Sequence, residues 1–169
     1  MSYGVLLLRV FVGVAFVGHG TQKLFGWWGG YGPRGTGGFF AQQGYRAGVL
    51  MAVVAGLSEA GGGTLLALGL ATPLACGMIA VVMLNAIFSV TLKRAFMAGS
   101  ELELAYLVTA VSLAAIGPGR FSLDRAFGWD DNISGVRWGV AALVAAAVVS
   151  ALTLTLGRTR PAAQQAAPT

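Results

Sequence analysis

The residues of this sequence that could do chemistry are a few polar side chains within, or at the ends of, long apolar runs. In GHGTQKLFG, His19 and Lys23 are four residues apart and therefore share one face of a helix, with Gln22 within a turn of His19. In MLNAIFSVTLK, the residues Asn85 and Lys93 belong to a second four-residue stripe through Ser89. Two lysines and a histidine suit a small anion such as thiosulfate, whereas nearby aromatic residues suit a quinone ring.

Glu59 is the residue whose position costs most, because it lies near the middle of an apolar run. A carboxylate at the centre of a membrane costs at least about 2.5–3.5 kcal/mol. We therefore expect Glu59 to face the interior of a helix bundle, either neutral or paired with Lys23, Lys93, Arg9 or His19. Two interpretations stay open: an ion pair that fixes the packing, and a proton or ligand site.

The other candidate residues also have purely structural interpretations. His19 could be the polar end of a helix at the membrane interface, and Arg9 could either snorkel outward or pair with Glu59. A group of aromatic residues could form an interfacial belt or could line the mouth of a site for a flat, lipid-like ligand: Trp27, Trp28, Phe39 and Phe40.

The elements that must position these residues are membrane helices. Of the 169 residues, 56% are hydrophobic and 10% are charged, whereas a soluble domain carries about 25% charged residues. The apolar runs predict five spans, at residues 3–22, 49–70, 74–92, 102–116 and 136–156, and they lack the alternation of membrane strands. The predicted fold is an all-α polytopic bundle, with a four-helix core over 1–127, a polar link and fifth transmembrane helix over 128–157, and a disordered tail over 158–169.

Glycine patterning adds expectations about packing. Small residues recur every four positions through the second span, a pattern that lets another helix backbone approach closely: Gly44, Gly48, Ala52, Gly56 and Ala60. The run Gly61-Gly62-Gly63 is expected to loosen this helix, and the glycine-rich segment before the second span is expected to be a loop.

Several classes of site are excluded. The stretch GYGPRG matches a dinucleotide-binding pattern by letter, but it follows a membrane helix rather than a strand and contains Pro33. His19 is the only histidine, so no multi-histidine metal or haem site is possible within one chain, and no metal ligands are predicted. The only cysteine, Cys76, lies in an apolar run and reads as a small buried residue. The scattered basic residues do not indicate nucleic-acid binding.

Loop charges predict the orientation. The side that holds the first loop, the third loop and the C-terminus carries seven basic residues, against three on the other side. Lys and Arg gather in cytoplasmic loops, so we expect the N-terminus outside and the C-terminus in the cytoplasm.

Together, the stretches GHGTQKLFG, GLSEAGGGTLLALGLATPLA, MLNAIFSVTLKRAF and GPGRFSLD resemble the DoxX family over residues 4–127. Carried over by position, the family's motif residues are His19, Gln22, Lys23, Glu59, Asn85, Lys93 and Asp124. The fifth span exceeds the family's usual four-helix unit.

The resemblance implies a small protein of the bacterial inner (plasma) membrane with a redox or oxidative-stress-linked role. Some relatives are linked to thiosulfate:quinone oxidoreductase as its small subunit, and others to complexes with superoxide dismutase and a sulfurtransferase. We expect no covalent cofactor, a quinone as bound ligand, a soluble oxidoreductase as partner, and self-association into a homo-oligomer.

Three functions follow as hypotheses. The first is a non-catalytic or auxiliary redox subunit with a ligand pocket in the cytoplasmic half, for which we assign no catalytic residue and expect the lining His19, Gln22, Lys23, Glu59, Asn85 and Lys93. The second is a small transporter of a sulfur compound or lipid-like solute, with Glu59 coupling the flux to protons. The third is a structural membrane scaffold.

Overall fold

The computed structural model describes residues 2–93 and 99–159, and within them the chain is an all-α bundle. The helices are α1 (Ser2–Phe25), α2 (Gly32–Gln42), α3 (Gly48–Leu68), α4 (Thr72–Ser89), α5 (Glu101–Ile116), α6 (Leu123–Ala126) and α7 (Val136–Leu156). Short 3-10 turns occupy Trp27–Gly29 and Thr91–Lys93. The predicted tail lies almost entirely outside the described residues, which end at Thr159.

The predicted all-α polytopic bundle is confirmed. In the described part of the chain, four helices are long and apolar enough to cross a membrane, namely α1, α3, α4 and α7. The predicted fourth span is α5, which has 16 residues and therefore measures about 24 Å, less than the ~30 Å of a bilayer core. It packs against α4 and α7, so it belongs to the bundle although it is shorter than a full crossing requires.

The segment between the first two spans is not simply a loop, because residues Gly32–Gln42 form α2, which lies against α3. The sequence did not predict this helix, because it contains several glycines, which are poor helix formers. Pro33 occupies the first turn, where its missing N–H costs nothing. A Cβ at Gly37 would lie 2.7 Å from the Cα of Val49, so the glycine is what lets α2 approach α3.

Contact between α1 and α3 is backbone against backbone. A Cβ at Gly13 would lie 2.5 Å from the carbonyl oxygen of Gly63, and one at Gly20 would lie 2.5 Å from the nitrogen of Ala60. The predicted close packing of the second span is thus observed, and three of its small residues are buried: Gly48, Ala52 and Gly56.

The expected loosening at Gly61-Gly62-Gly63 was wrong, because α3 runs without interruption from Gly48 to Leu68. Packing compensates for the low helix propensity of glycine. A Cβ at Gly62 would lie 3.1 Å from the Cβ of Met78 in α4, and Gly63 meets α1. The glycines are therefore contact points of an intact helix.

At the end of the bundle where α1 begins, Asp124 caps α4. Its carboxylate is fully buried and accepts hydrogen bonds from the backbone N–H of Ala71 (2.7 Å) and of Thr72 (3.0 Å), and from the Thr72 hydroxyl (2.7 Å). A carboxylate at this position satisfies N–H groups that a helix start leaves without partners. Asp124, which the resemblance placed among the motif residues, thus has a structural role in this fold.

Arg9 also lies at this end, and neither expected position for it is observed. The side chain is fully buried, and its Nη2 donates to the carbonyl oxygen of Phe121 at 2.5 Å. The antiparallel register of α1 and α3 sets Arg9 beside Gly69, past the end of α3 and away from Glu59. Arg9 does lie in the interior of the bundle, but it binds a backbone carbonyl instead of Glu59.

We predict that Gly20→Ala destabilises the bundle whereas Gly18→Ala does not. The added methyl group at position 20 meets backbone atoms of α3 that cannot move independently, and overpacking costs about 1–3 kcal/mol. At Gly18, nothing lies within 4 Å of the added Cβ. Thermal unfolding of both variants in detergent, followed by size-exclusion chromatography, measures the difference. Equal melting temperatures would contradict the backbone contact.

We predict that Asp124→Ala lowers the free energy of unfolding by at least about 1–3 kcal/mol, since it leaves buried N–H groups of α4 without partners. Asp131→Ala is the matched control, because Asp131 is exposed. The same thermal assay applies. A destabilisation no larger than that of the control would show that the cap does not hold α4.

Candidate functional site

A cavity of about 360 Å³ lies in the half of the bundle where α1, α4 and α7 end and where α3 and α5 begin. Side chains from α1, α2, α3, α4 and α5 line it, together with Thr153 of α7. Most of the wall is apolar, and five aromatic side chains contribute to it: Phe16, Phe39, Phe40, Tyr45 and Tyr106. The size and the mixture of apolar walls with a few polar groups are typical of a small-molecule site.

Lys23 and Glu59 form a buried ion pair in the wall of this cavity. The Nζ of Lys23 lies 2.6 Å from the Oε2 of Glu59, and the side chains are 22% and 3% exposed. The close contact of Gly20 with α3 brings the two helices near enough for the pair to form. Of the partners expected for Glu59, the structure selects Lys23. In a low-dielectric interior each charge depends on the other.

His19 lies at the mouth of the cavity, since its side chain lines the cavity and is also exposed. Its Nδ1 lies 3.3 Å from the Oε1 of Gln22. Gln22 itself is not part of the lining: its Nε2 donates to the carbonyl oxygen of Trp28 at 3.2 Å. Because Trp28 has a left-handed backbone with φ of 55°, this bond fixes a strained turn. Gln22 therefore holds the turn behind His19.

Asn85 joins three parts of the bundle at the cavity wall. Its Oδ1 accepts from the hydroxyls of Tyr45 (3.1 Å) and Thr153 (2.8 Å). Its Nδ2 lies within hydrogen-bond distance of the Val81 carbonyl oxygen (3.0 Å) and the Ser150 hydroxyl (3.1 Å). Both the oxygen and the nitrogen of the side-chain amide thus have hydrogen-bond partners within the protein. These bonds connect α4, α7 and the segment before α3.

The predicted stripe from Asn85 to Lys93 is not one helical face. Helix α4 ends at Ser89, whose hydroxyl donates back to the Asn85 carbonyl oxygen at 2.5 Å. Lys93 belongs to the following 3-10 turn, and its side chain lies outside the described part of the structure. The C-terminal end of α4 therefore brings Asn85 and Ser89 to the cavity, while the contribution of Lys93 stays a prediction.

The aromatic residues divide into two groups. Phe39 and Phe40 of α2 line the cavity. Trp27 and Trp28 lie outside it and are 56% and 78% exposed, as an interfacial anchor would be. The position of Phe39 and Phe40 fits the ligand-mouth interpretation and that of Trp27 and Trp28 fits the belt, and both stay predictions.

The segment that follows α7 contacts Tyr45, a residue of the cavity wall. Tyr45 and Arg158 form an isolated antiparallel bridge, and the guanidinium of Arg158 lies over the Tyr45 ring at 5.6 Å. Arg158 also donates to the carbonyl oxygen of Gln43. Sequence reasoning missed Tyr45 and Thr153, because a lone tyrosine in a glycine-rich link and a threonine in an apolar span carry no spacing signal.

Within the described residues, no group of three or more His, Cys, Asp or Glu side chains could hold a metal ion. The buried Cys76 is a core residue of α4. The cavity wall offers hydrogen-bonding groups, an ion pair and aromatic surfaces.

Comparisons with known proteins agree on one family. The DoxX family profile matches residues 4–92. A protein of Bacillus subtilis (strain 168) named "Putative oxidoreductase CatD" is 36% identical over 121 residues, which is 72% of this chain and 84% of that protein. No solved structure gives a significant match.

We predict that Lys23→Met costs about 3–5 kcal/mol of stability, because it leaves the Glu59 carboxylate buried without its partner. The double variant Lys23→Met with Glu59→Leu should recover most of that loss, since apolar replacements often match a buried pair. Thermal unfolding in detergent measures both. The pair of Arg125 and Asp130 provides the control: the Arg125 side chain is 53% exposed, so Arg125→Met should change little. A double variant as unstable as the single one would contradict the pairing.

Proposed function

The chain belongs to the DoxX family, and from this membership and the cavity we propose that it is an integral membrane subunit of a redox system that holds a quinone-like ligand within its bundle. The observation that carries the proposal is the aromatic-walled cavity next to the Lys23–Glu59 pair. The name of the Bacillus subtilis relative supports the redox association.

The walls suit a flat ring better than a small anion. Lys23 already has a carboxylate 2.6 Å away, and a second acidic residue, Glu103, also lines the cavity. Among the described lining residues the formal charges therefore do not favour an anion such as thiosulfate. Aromatic side chains on several helices offer faces against which a quinone ring can pack. The residues that would hold the ring are Phe16, Phe39, Phe40, Tyr45 and Tyr106.

A redox role requires an electron carrier from outside the polypeptide. The chain has one cysteine and one histidine, and Cys76 is buried in the core. We propose that the bound quinone is the electron carrier and that a soluble protein of the superoxide dismutase or sulfurtransferase type docks to this subunit. The bacterial inner membrane, with the N-terminus outside, is the proposed location.

Proton-coupled transport is the second candidate, and the Lys23–Glu59 pair within the bundle is what favours it. The continuous α3 argues against it, because transporter sites commonly use broken helices.

Uptake of thiosulfate into proteoliposomes separates the two proposals. A pH-driven flux that Glu59→Gln abolishes would establish transport, whereas the redox proposal expects no flux. A scaffold role would be indicated if cavity substitutions changed folding alone.

We predict that Ala55→Phe abolishes quinone binding, because the added ring occupies the cavity that Ala55 lines. The purified protein should contain quinone that is extractable and measurable by chromatography and mass spectrometry, and it should bind added decylubiquinone saturably. Leu57→Phe is the matched control on the same helix, since Leu57 is 58% exposed and does not line the cavity.

Two results would overturn the proposal. The first is wild-type protein that neither copurifies with quinone nor binds decylubiquinone saturably. The second is equal binding in the folded Ala55→Phe and Leu57→Phe variants. Correct folding of both is checked by their elution and melting temperature.

A further inference from the structure

Glu103 is a cavity residue with one carboxylate oxygen that has no hydrogen-bond partner among the described residues. It lies in the first turn of α5 and lines the cavity. Its Oε2 is buried, and within residues 2–93 and 99–159 no hydrogen-bond partner satisfies it. A buried polar atom without a partner is costly, so such an atom in a native structure calls for a donor beyond those that the described residues provide.

Most other polar groups of the wall already have partners. Lys23 and Glu59 bind each other, Tyr45 and Thr153 donate to Asn85, and Ser89 bonds to a backbone carbonyl. Among the described lining residues, Glu103 is the one with a buried side-chain oxygen that has no partner. A molecule bound in the cavity can supply the donor for this oxygen.

An aromatic surface lies beside this carboxylate. Tyr106, one helical turn after Glu103, lines the cavity and packs edge-on against Phe16 of α1, with ring centroids 5.1 Å apart. A ligand ring that rests on this surface would present its ring substituents toward the first turn of α5. A ring hydroxyl is then the group best suited to reach Glu103.

We infer that Glu103 determines the redox form of the ligand: its carboxylate accepts a hydrogen bond from a ring hydroxyl, so that the cavity prefers the hydroquinone to the quinone. An ionised carboxylate can only accept hydrogen bonds. A hydroquinone hydroxyl can donate one, whereas a quinone carbonyl oxygen can only accept and would be repelled. This inference rests on the proposed function, because it specifies the ligand of the same cavity.

The test measures the affinities of two probes, decylubiquinone and its chemically reduced hydroquinone, for the purified full-length protein under anaerobic conditions by equilibrium dialysis. The variants are Glu103→Gln, which keeps the shape of the side chain, and Glu101→Gln, an exposed control on the same helix. Comparing the ratio of affinities between variants cancels the different partitioning of the probes into detergent.

We expect wild-type protein and Glu101→Gln to bind the hydroquinone about tenfold or more tightly than the quinone, as one hydrogen bond to a charged group predicts. In Glu103→Gln the ratio should fall toward one while quinone binding persists. Persistence of quinone binding shows that the variant is folded.

Three results would overturn the inference. Saturable quinone binding with no preference in wild-type protein would refute it while leaving the proposed function intact. An unchanged preference in Glu103→Gln would assign the preference to another residue, with water as the carboxylate's partner. Absence of saturable binding of either probe would refute both the inference and the proposed function.

Discussion

The close contact between α1 and α3 is the constraint on which the site depends. Glycines on both helices remove the side chains that would separate the backbones, and the packing reaches along most of α1. Only at that separation can the amine of Lys23 reach the carboxylate of Glu59 across the interface. A membrane interior offers little hydrophobic drive for helices to associate. Backbone proximity and a buried ion pair therefore stabilise the same interface in complementary ways.

Polar residues are divided between the two ends of the bundle, with buried structural contacts at one end and the candidate site at the other. At one end Asp124 and Arg9 are fully buried against backbone groups, and they connect the segment after α5 to α4 and α1. At the other end the polar groups surround a cavity. The motif residues of the resemblance occur at both ends, so membership of a motif does not by itself mark a ligand contact. Position within the bundle distinguishes the two roles.

The sequence predicted the long apolar helices, and it limited the partner of Glu59 to a few residues, because both follow from energetic cost. An apolar run must cross or pack within a membrane, and a carboxylate inside it must find a partner, which made Lys23 one of few choices for Glu59. The sequence did not predict α2, because its glycines disfavour a helix and the helix depends on its contact with α3. It also misplaced Gln22, since helical spacing cannot reveal that a side chain turns back to a loop carbonyl. The predicted partner of Arg9 was wrong for a related reason. The register of α1 against α3 depends on helix packing, which the spacing of residues in the sequence does not show.

The bridge between Tyr45 and Arg158 joins an early part of the chain to a late one. Tyr45 precedes α3, whereas Arg158 follows α7 and is synthesised after all the described helices. Until α7 has been inserted, Asn85 lacks both Ser150 and Thr153, and the outer wall of the cavity has no support from the C-terminal segment. The cavity therefore gains its full described lining only after α7 has been synthesised, since Thr153 of α7 is part of its wall.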